Sequence, residues 1–189
     1  MIHSTRPLGR RGQKVDHRTA VVLDTEFTAG HMSLRDSFTK AYDTNVSGTQ
    51  VVTWTFLPLL LQAPDPRLLF VSGLSHITLA AERYFPTPPV PAGWPKKIGF
   101  ETIGYRATKM AINIVMLDWK HKLKEDGVKV FAVQPGLMTT NLGNAADTLQ
   151  EMGAAHPREG AKLVREVVEG VRDADVGKLL AKDGGIMPW

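Results

Sequence analysis

The chain has 189 residues, 43% of them hydrophobic and 22% charged, which allows a sizeable buried core in one domain and excludes a low-complexity or disordered protein. Its lack of cysteine rules out disulfides and thiolate metal ligands and fits a reducing compartment, the cytoplasm. The net charge of +4 resides in residues 1–20, where Arg6, Arg10, Arg11, Lys14 and Arg18 outweigh Asp16, so the rest is electrically balanced and no nucleic-acid surface is expected.

Residues 1–19 read as a basic, disordered leader, and residues 20–189 as the folded domain. Ala20-Val21-Val22-Leu23 is a short apolar run that reads as a strand. Ser33 is a suitable N-cap for a long helical region over 33–62, with Leu34, Phe38, Ala41, Tyr42 and Val46 at helical spacing. Asn45 and Gly48 are weak helix formers inside it, and Pro58 should kink its last turns. Leu68-Leu69-Phe70-Val71 predicts a buried strand over 67–72, ending in Ser72-Gly73. Residues 83–95 carry five prolines with Tyr84, Phe85 and Trp94, which predicts a long loop suited to a substrate wall or lid.

A helix over 105–124 follows, apolar on more than one face through Met110, Ile114, Val115, Leu117 and Trp119. Further strands are predicted near 128–134 and 177–181, with an amphipathic helix over 160–171 between them and a turn at Asp183-Gly184-Gly185 after the last. The histidines show no ligand spacing, so no metal site is expected, and no apolar run is long enough to span a membrane.

Tyr105 and Lys109 stand one helical turn apart and therefore share a helix face. An ammonium beside a phenol favours the phenolate, so the pair is expected to lower the tyrosine pKa and to move protons to or from a carbonyl or alcohol oxygen. The order Asn45-Val46-Ser47-Gly48, a serine after a strand, Tyr-x-x-x-Lys, and Pro135-Gly136 followed by Thr139 and Thr140 resembles the short-chain dehydrogenase/reductase family over roughly residues 34–189.

That resemblance implies an α/β fold, a partial doubly wound parallel sheet of four strands with helices on both faces. It also implies a catalytic tetrad of Asn45, Ser72, Tyr105 and Lys109, with Ser75 as the alternative serine. Pro135, Gly136, Met138 and Thr140, with Asn45, Tyr105 and Lys109, would hold the cofactor, NADP(H) or NAD(H), with NADP(H) the expected form. The substrate would be a small carbonyl or alcohol, reduced or oxidised by hydride transfer with Tyr105 as general acid or base. In the family, the helix over 105–124 commonly forms a homodimer interface, whereas an insertion before the tyrosine can prevent pairing.

The family's glycine-rich turn, which receives the pyrophosphate, has no counterpart here. Gly9 and Gly12 follow no strand, and Phe27-Thr28-Ala29-Gly30 keeps only the Ala-Gly of the family's Asn-Asn-Ala-Gly. The chain therefore reads as amino-terminally truncated. The alternative is a truncated, non-catalytic remnant that binds no dinucleotide and is a partner subunit or a gene-model fragment.

Overall fold

The computed structural model describes residues 20–73, 77–82, 90–96, 102–140, 142 and 146–189. The leader, Ser75 and much of the proline-rich loop lie outside the described residues.

Three strands form the parallel part of the sheet: β1 (Arg67–Val71), β2 (Lys129–Gln134) and β3 (Leu179–Ala181). Val71 stands opposite Val133, and Gln134 opposite Ala181, so the carboxyl ends of all three lie side by side. β2 is the centre of the fold. Its Val130, Phe131, Ala132 and Val133 are fully buried, because successive side chains point to opposite faces and a helix covers each face.

On one face Val130 and Ala132 pack with Phe70 against Ile112, Met116 and Trp119 of α5 (Ile103–Lys122). On the other, Phe131 and Val133 pack with Leu180 against Leu163 and Val167 of α7 (Pro157–Val168). Each such side chain contributes roughly 1.5–3 kcal/mol of transfer free energy. This two-sided covering is the expected doubly wound arrangement, and the predicted strands near 67–72, 128–134 and 177–181 are all present.

Two expectations are corrected. Residues 20–23 belong not to a strand but to helix α1 (Ala20–Thr28), whose Leu23 is buried with Ala41 and packs near Met32 and Tyr105. Four apolar residues do not distinguish a strand from a buried helical turn, and the hydrophobic contact with α2 (Leu34–Tyr42) and α5 decides it. The fourth strand is instead β4 (Ile186–Met187), antiparallel to β3. A connection this tight, through Gly184 at φ 84°, can join only antiparallel neighbours.

The long helical region begins where expected. The Ser33 hydroxyl caps α2 by accepting from the Asp36 N–H at 3.1 Å. It runs through a widened π-helical turn at Asp43–Ser47 into α3 (Gly48–Leu60), which contains Pro58. In the widened turn the Gly48 N–H reaches back to the Asp43 carbonyl, and the Thr49 hydroxyl donates to the Asn45 carbonyl at 2.6 Å. The expected break thus falls at Asn45 as a bulge rather than an interruption. A short helix, α4 (Ile77–Glu82), follows β1, and α6 (Ala146–Glu151) precedes α7. His156 caps α7, its Nδ1 accepting from the Arg158 N–H at 3.1 Å.

Candidate active site

Tyr105 lies in the first turn of α5 and Lys109 one turn on. The amino end of α5 is anchored by Asp24 of α1, which is 1% exposed. Its carboxylate accepts from the Gly104 N–H at 3.2 Å and the Tyr105 N–H at 2.9 Å, filling two of the donors a helix start leaves unpaired. Glycine at 104 is required by this contact, because a Cβ there would stand 2.4 Å from Asp24 Oδ1.

The Tyr105 phenol and the Lys109 stem both converge on Gly73, at the carboxyl end of β1. A Cβ on Gly73 would meet Lys109 Cγ at 3.3 Å and the Tyr105 hydroxyl at 3.7 Å. The Lys109 ammonium sits 5.6 Å from the centre of the Tyr105 ring and donates to the Val71 carbonyl at 2.9 Å.

Burial raises the Tyr105 pKa above its ordinary 10.0 and lowers that of Lys109 below 10.5. The expected acidification of the phenol is therefore reversed in the free chain. Removal from water opposes both charged forms, and the ammonium is held over the ring and toward a strand carbonyl rather than against the phenol oxygen.

Ser72 is 3% exposed, and its hydroxyl donates to Asn113 Oδ1 at 2.5 Å, with the Lys109 carbonyl at 3.4 Å. It joins β1 to the middle of α5, and the backbone beside the phenol belongs to Gly73. Asn45 faces the same cleft as Lys109 and Val71. Its Nδ2 donates to Thr108 Oγ1 at 2.9 Å, and that buried hydroxyl donates to the Tyr105 carbonyl at 2.6 Å. The widened turn is thus fastened to the helix that carries the tyrosine.

Gly136, at φ 88°, follows β2 at the same edge of the sheet, where a Cβ would come within 2.8 Å of Lys182 Cδ. Pro135 and Met138 pack on α7: a Cβ on Gly160 would lie 2.8 Å from Pro135 Cβ and 3.5 Å from Met138 Sδ. Met138 also bridges to Ala155, so its side chain serves this packing. Thr140 is exposed, and its hydroxyl accepts from the Leu142 N–H at 3.4 Å.

The fold thus brings Asn45 and Lys109 to one cleft, sets the Tyr105 hydroxyl beside Gly73 with the Lys109 stem, and places Pro135 and Gly136 on the adjacent strand end. It directs Ser72 and Met138 into packing. Among the described residues, no group of three or more acidic or histidine side chains is placed to hold a metal, and no helix is long and apolar enough to cross a membrane. Asn113 was visible in principle, as a polar residue two turns beyond Tyr105 on the same helix. Asp24 carried no such signal, because the bonds that hold α5 run to backbone amides on a remote helix.

No protein-family model matches the chain. It is 44% identical over 181 residues to the short-chain dehydrogenase/reductase tropE of Talaromyces stipitatus, an alignment covering 93% of this chain and 68% of that one. It is 37% identical to the short-chain dehydrogenase/reductase eupG of a Phoma species, covering 88% of this chain and 63% of the relative.

Among solved structures, the NADPH-bound carbonyl reductase from chicken fatty liver matches with a TM-score of 0.64 at 21% identity, over 85% of this chain and 60% of that one. The oxidoreductase yciK from E. coli matches at 0.59 and 17% identity, over 78% and 53%. Both share the fold, and the chain spans less than two thirds of each. With 44% identity across most of its length to a protein of that name, and a doubly wound sheet with the Tyr105 and Lys109 pair at its carboxyl edge, the chain belongs to the short-chain dehydrogenase/reductase family.

Proposed function

We propose that the chain carries the catalytic half of an NAD(P)-dependent oxidoreductase acting on a small ketone or aldehyde. One observation carries this reading: the Tyr105 phenol and the Lys109 stem meet over a residue without a side chain, Gly73, at the edge where the parallel strands end. Open α/β sheets bind their ligands outside that edge.

Burial holds Tyr105 as the neutral phenol at neutral pH, the state able to give a proton to a developing alkoxide. Taking a proton from an alcohol needs the phenolate, which the same burial opposes.

The residues present fit the nicotinamide end of a dinucleotide: Lys109 and Asn45 line an open cleft between α3 and β1, and the absence of a side chain at Gly73 lets the Tyr105 hydroxyl and the Lys109 stem close on the strand end beside it. Lys109, Tyr105 and Asn45, with the backbone of Pro135, Gly136 and Thr140, would hold it. When bound, the nicotinamide supplies the hydride. The chain's own part is to orient the carbonyl, exclude water and present the phenol proton. Ser72, bonded to Asn113, enters as a positioning group, and Ser75 is the alternative serine for the substrate oxygen.

The alternative, a partner subunit without dinucleotide binding, is favoured by two facts. Lys109 is already engaged by Val71 and Ser72 by Asn113. A homodimer through the helix over 105–124 would have Ile114, 64% exposed, as an available apolar side chain.

Fluorescence titration with NADPH and NADH separates the first two readings. Saturable binding together with carbonyl-dependent NADPH oxidation that Tyr105→Phe abolishes supports the enzyme. Absence of binding at millimolar dinucleotide, or turnover retained by Tyr105→Phe, rejects it.

A further inference from the structure

The carboxyl edge of the sheet carries a cation that no described residue engages. Lys182 directly follows β3, and Ala181 before it stands opposite Gln134, so Lys182 lies beside Pro135 and Gly136 at the ends of adjacent strands. Its side chain leans inward. A Cβ on Gly136 would stand 2.8 Å from Lys182 Cδ and 3.2 Å from Cε, so the stem crosses from β3 to the end of β2, the strand next to the one that ends at Gly73. Glycine at 136, at φ 88°, both makes the turn and leaves the stem this path.

Lys182 is exposed and makes no hydrogen bond or ion pair with a described residue. The carboxylate next to it is engaged elsewhere, Asp183 Oδ1 accepting from the Gly185 N–H at 2.9 Å. The other lysine at this edge, Lys109, is committed to the Val71 carbonyl. A stem packed along backbone with its ammonium in water has already lost part of its side-chain freedom, so an ion contact costs it less further ordering.

We infer that Lys182 receives an anionic group of the carbonyl substrate, a carboxylate or an ionised acidic hydroxyl, set across the site from the reacting carbon. The substrate role rests on the oxidoreductase reading; the anion site does not. Neighbouring strands lie about 4.8 Å apart, so two spacings, on the order of 10 Å, separate the end of β1, where Tyr105 acts, from the end of β3. The inward lean of Lys182 shortens that gap, which suits a substrate with one ring between its carbonyl and its anion. A dinucleotide phosphate is the poorer source of the charge. The cleft that Asn45 and Lys109 line lies between α3 and β1, and none of its lining residues comes from β2 or β3.

The probes are para-acetylbenzoate and its methyl ester, aryl ketones matched except for charge. With the whole chain and NADPH at low ionic strength, kcat/KM should favour the carboxylate. Lys182→Met, which keeps an apolar stem over Gly136, should reduce that preference about fivefold through KM, the size of one exposed ion contact. Lys182→Arg should retain the preference, and added salt should erode it. An equal carboxylate-to-ester ratio in the unsubstituted chain and in Lys182→Met overturns the assignment. A loss that falls on NADPH affinity in place of the carboxylate KM gives the cation to a dinucleotide phosphate and overturns it too.

The anion site is also read without turnover, by titrating both ketones into the ¹⁵N-labelled chain and following the Gly136 and Lys182 amides. Shifts that saturate with the carboxylate, and are absent with the ester and in Lys182→Met, support the site in a chain that turns neither ketone over. Absence of such shifts rejects it, whether or not the chain reduces ketones. Failure to bind NADPH rejects the oxidoreductase reading instead and leaves this titration readable.

Discussion

Replacing Gly104 by alanine tests whether α5, and with it Tyr105, is held by Asp24. Elsewhere in a helix this change stabilises by up to about 1 kcal/mol, because alanine loses less backbone freedom on folding. Here the new Cβ would stand 2.4 Å from Asp24 Oδ1, and the buried carboxylate has no route away that keeps its bonds to the Gly104 and Tyr105 amides. An N-cap contributes about 0.5–2 kcal/mol, and hydrogen bonds to a charged group about 1.5–3, so loss of this cap should cost about 2–3. Gly104→Ala is therefore expected to destabilise by about 1–2 kcal/mol net of the helical gain.

In an Asp24→Ala background the clash is gone, and the same substitution should stabilise by up to about 1 kcal/mol, a reversal of sign. Urea unfolding of the four proteins, followed by far-ultraviolet circular dichroism, measures the cycle. If Gly104→Ala shifts both backgrounds equally, Asp24 does not hold α5 through these amides.

Further outcomes follow from the same geometry. In an ultraviolet difference titration, Tyr105 should ionise above 10.0, so Tyr105→Phe should remove absorbance gained above that pH; loss of absorbance gained below it would mean that the ammonium, not burial, governs the phenol. Ser72→Ala should destabilise by about 1 kcal/mol through loss of its bond to Asn113 Oδ1, and coupling below about 0.5 kcal/mol with Asn113→Ala would separate the two residues.

Asp173 is paired with Arg67 and with Lys129 at 2.6 Å, and Arg67 foremost holds its carboxyl well below the ordinary 3.8. Its folded-state pKa being depressed, the pair stabilises above the unfolded value and the contribution fades as pH falls below 3.8. Asp173→Asn should flatten the urea midpoint across that acid range, and an unchanged slope would show the ion pair to be idle. Trp119→Phe should cost about 3 kcal/mol or less through lost packing and the Nε1 bond to Gln50 at 2.8 Å, and should quench none of the dinucleotide affinity if the site lies at the strand ends.

Much of the fold was legible in local pattern. β2, apolar from Val130 to Val133, reads as a central strand because two helices cover it, and the Tyr105 and Lys109 spacing places both on one face by helical geometry alone. Ser33 announced its helix because an N-cap is a local bond. Tertiary structure decided what depends on distant partners. It made residues 20–23 part of a helix, since α2 and α5 offered Leu23 an apolar surface. It turned Ser72 toward Asn113 and Lys109 toward Val71, and it reversed the expected shift of the phenol, because desolvation depends on the whole surrounding volume and cannot be read from a neighbour four residues away.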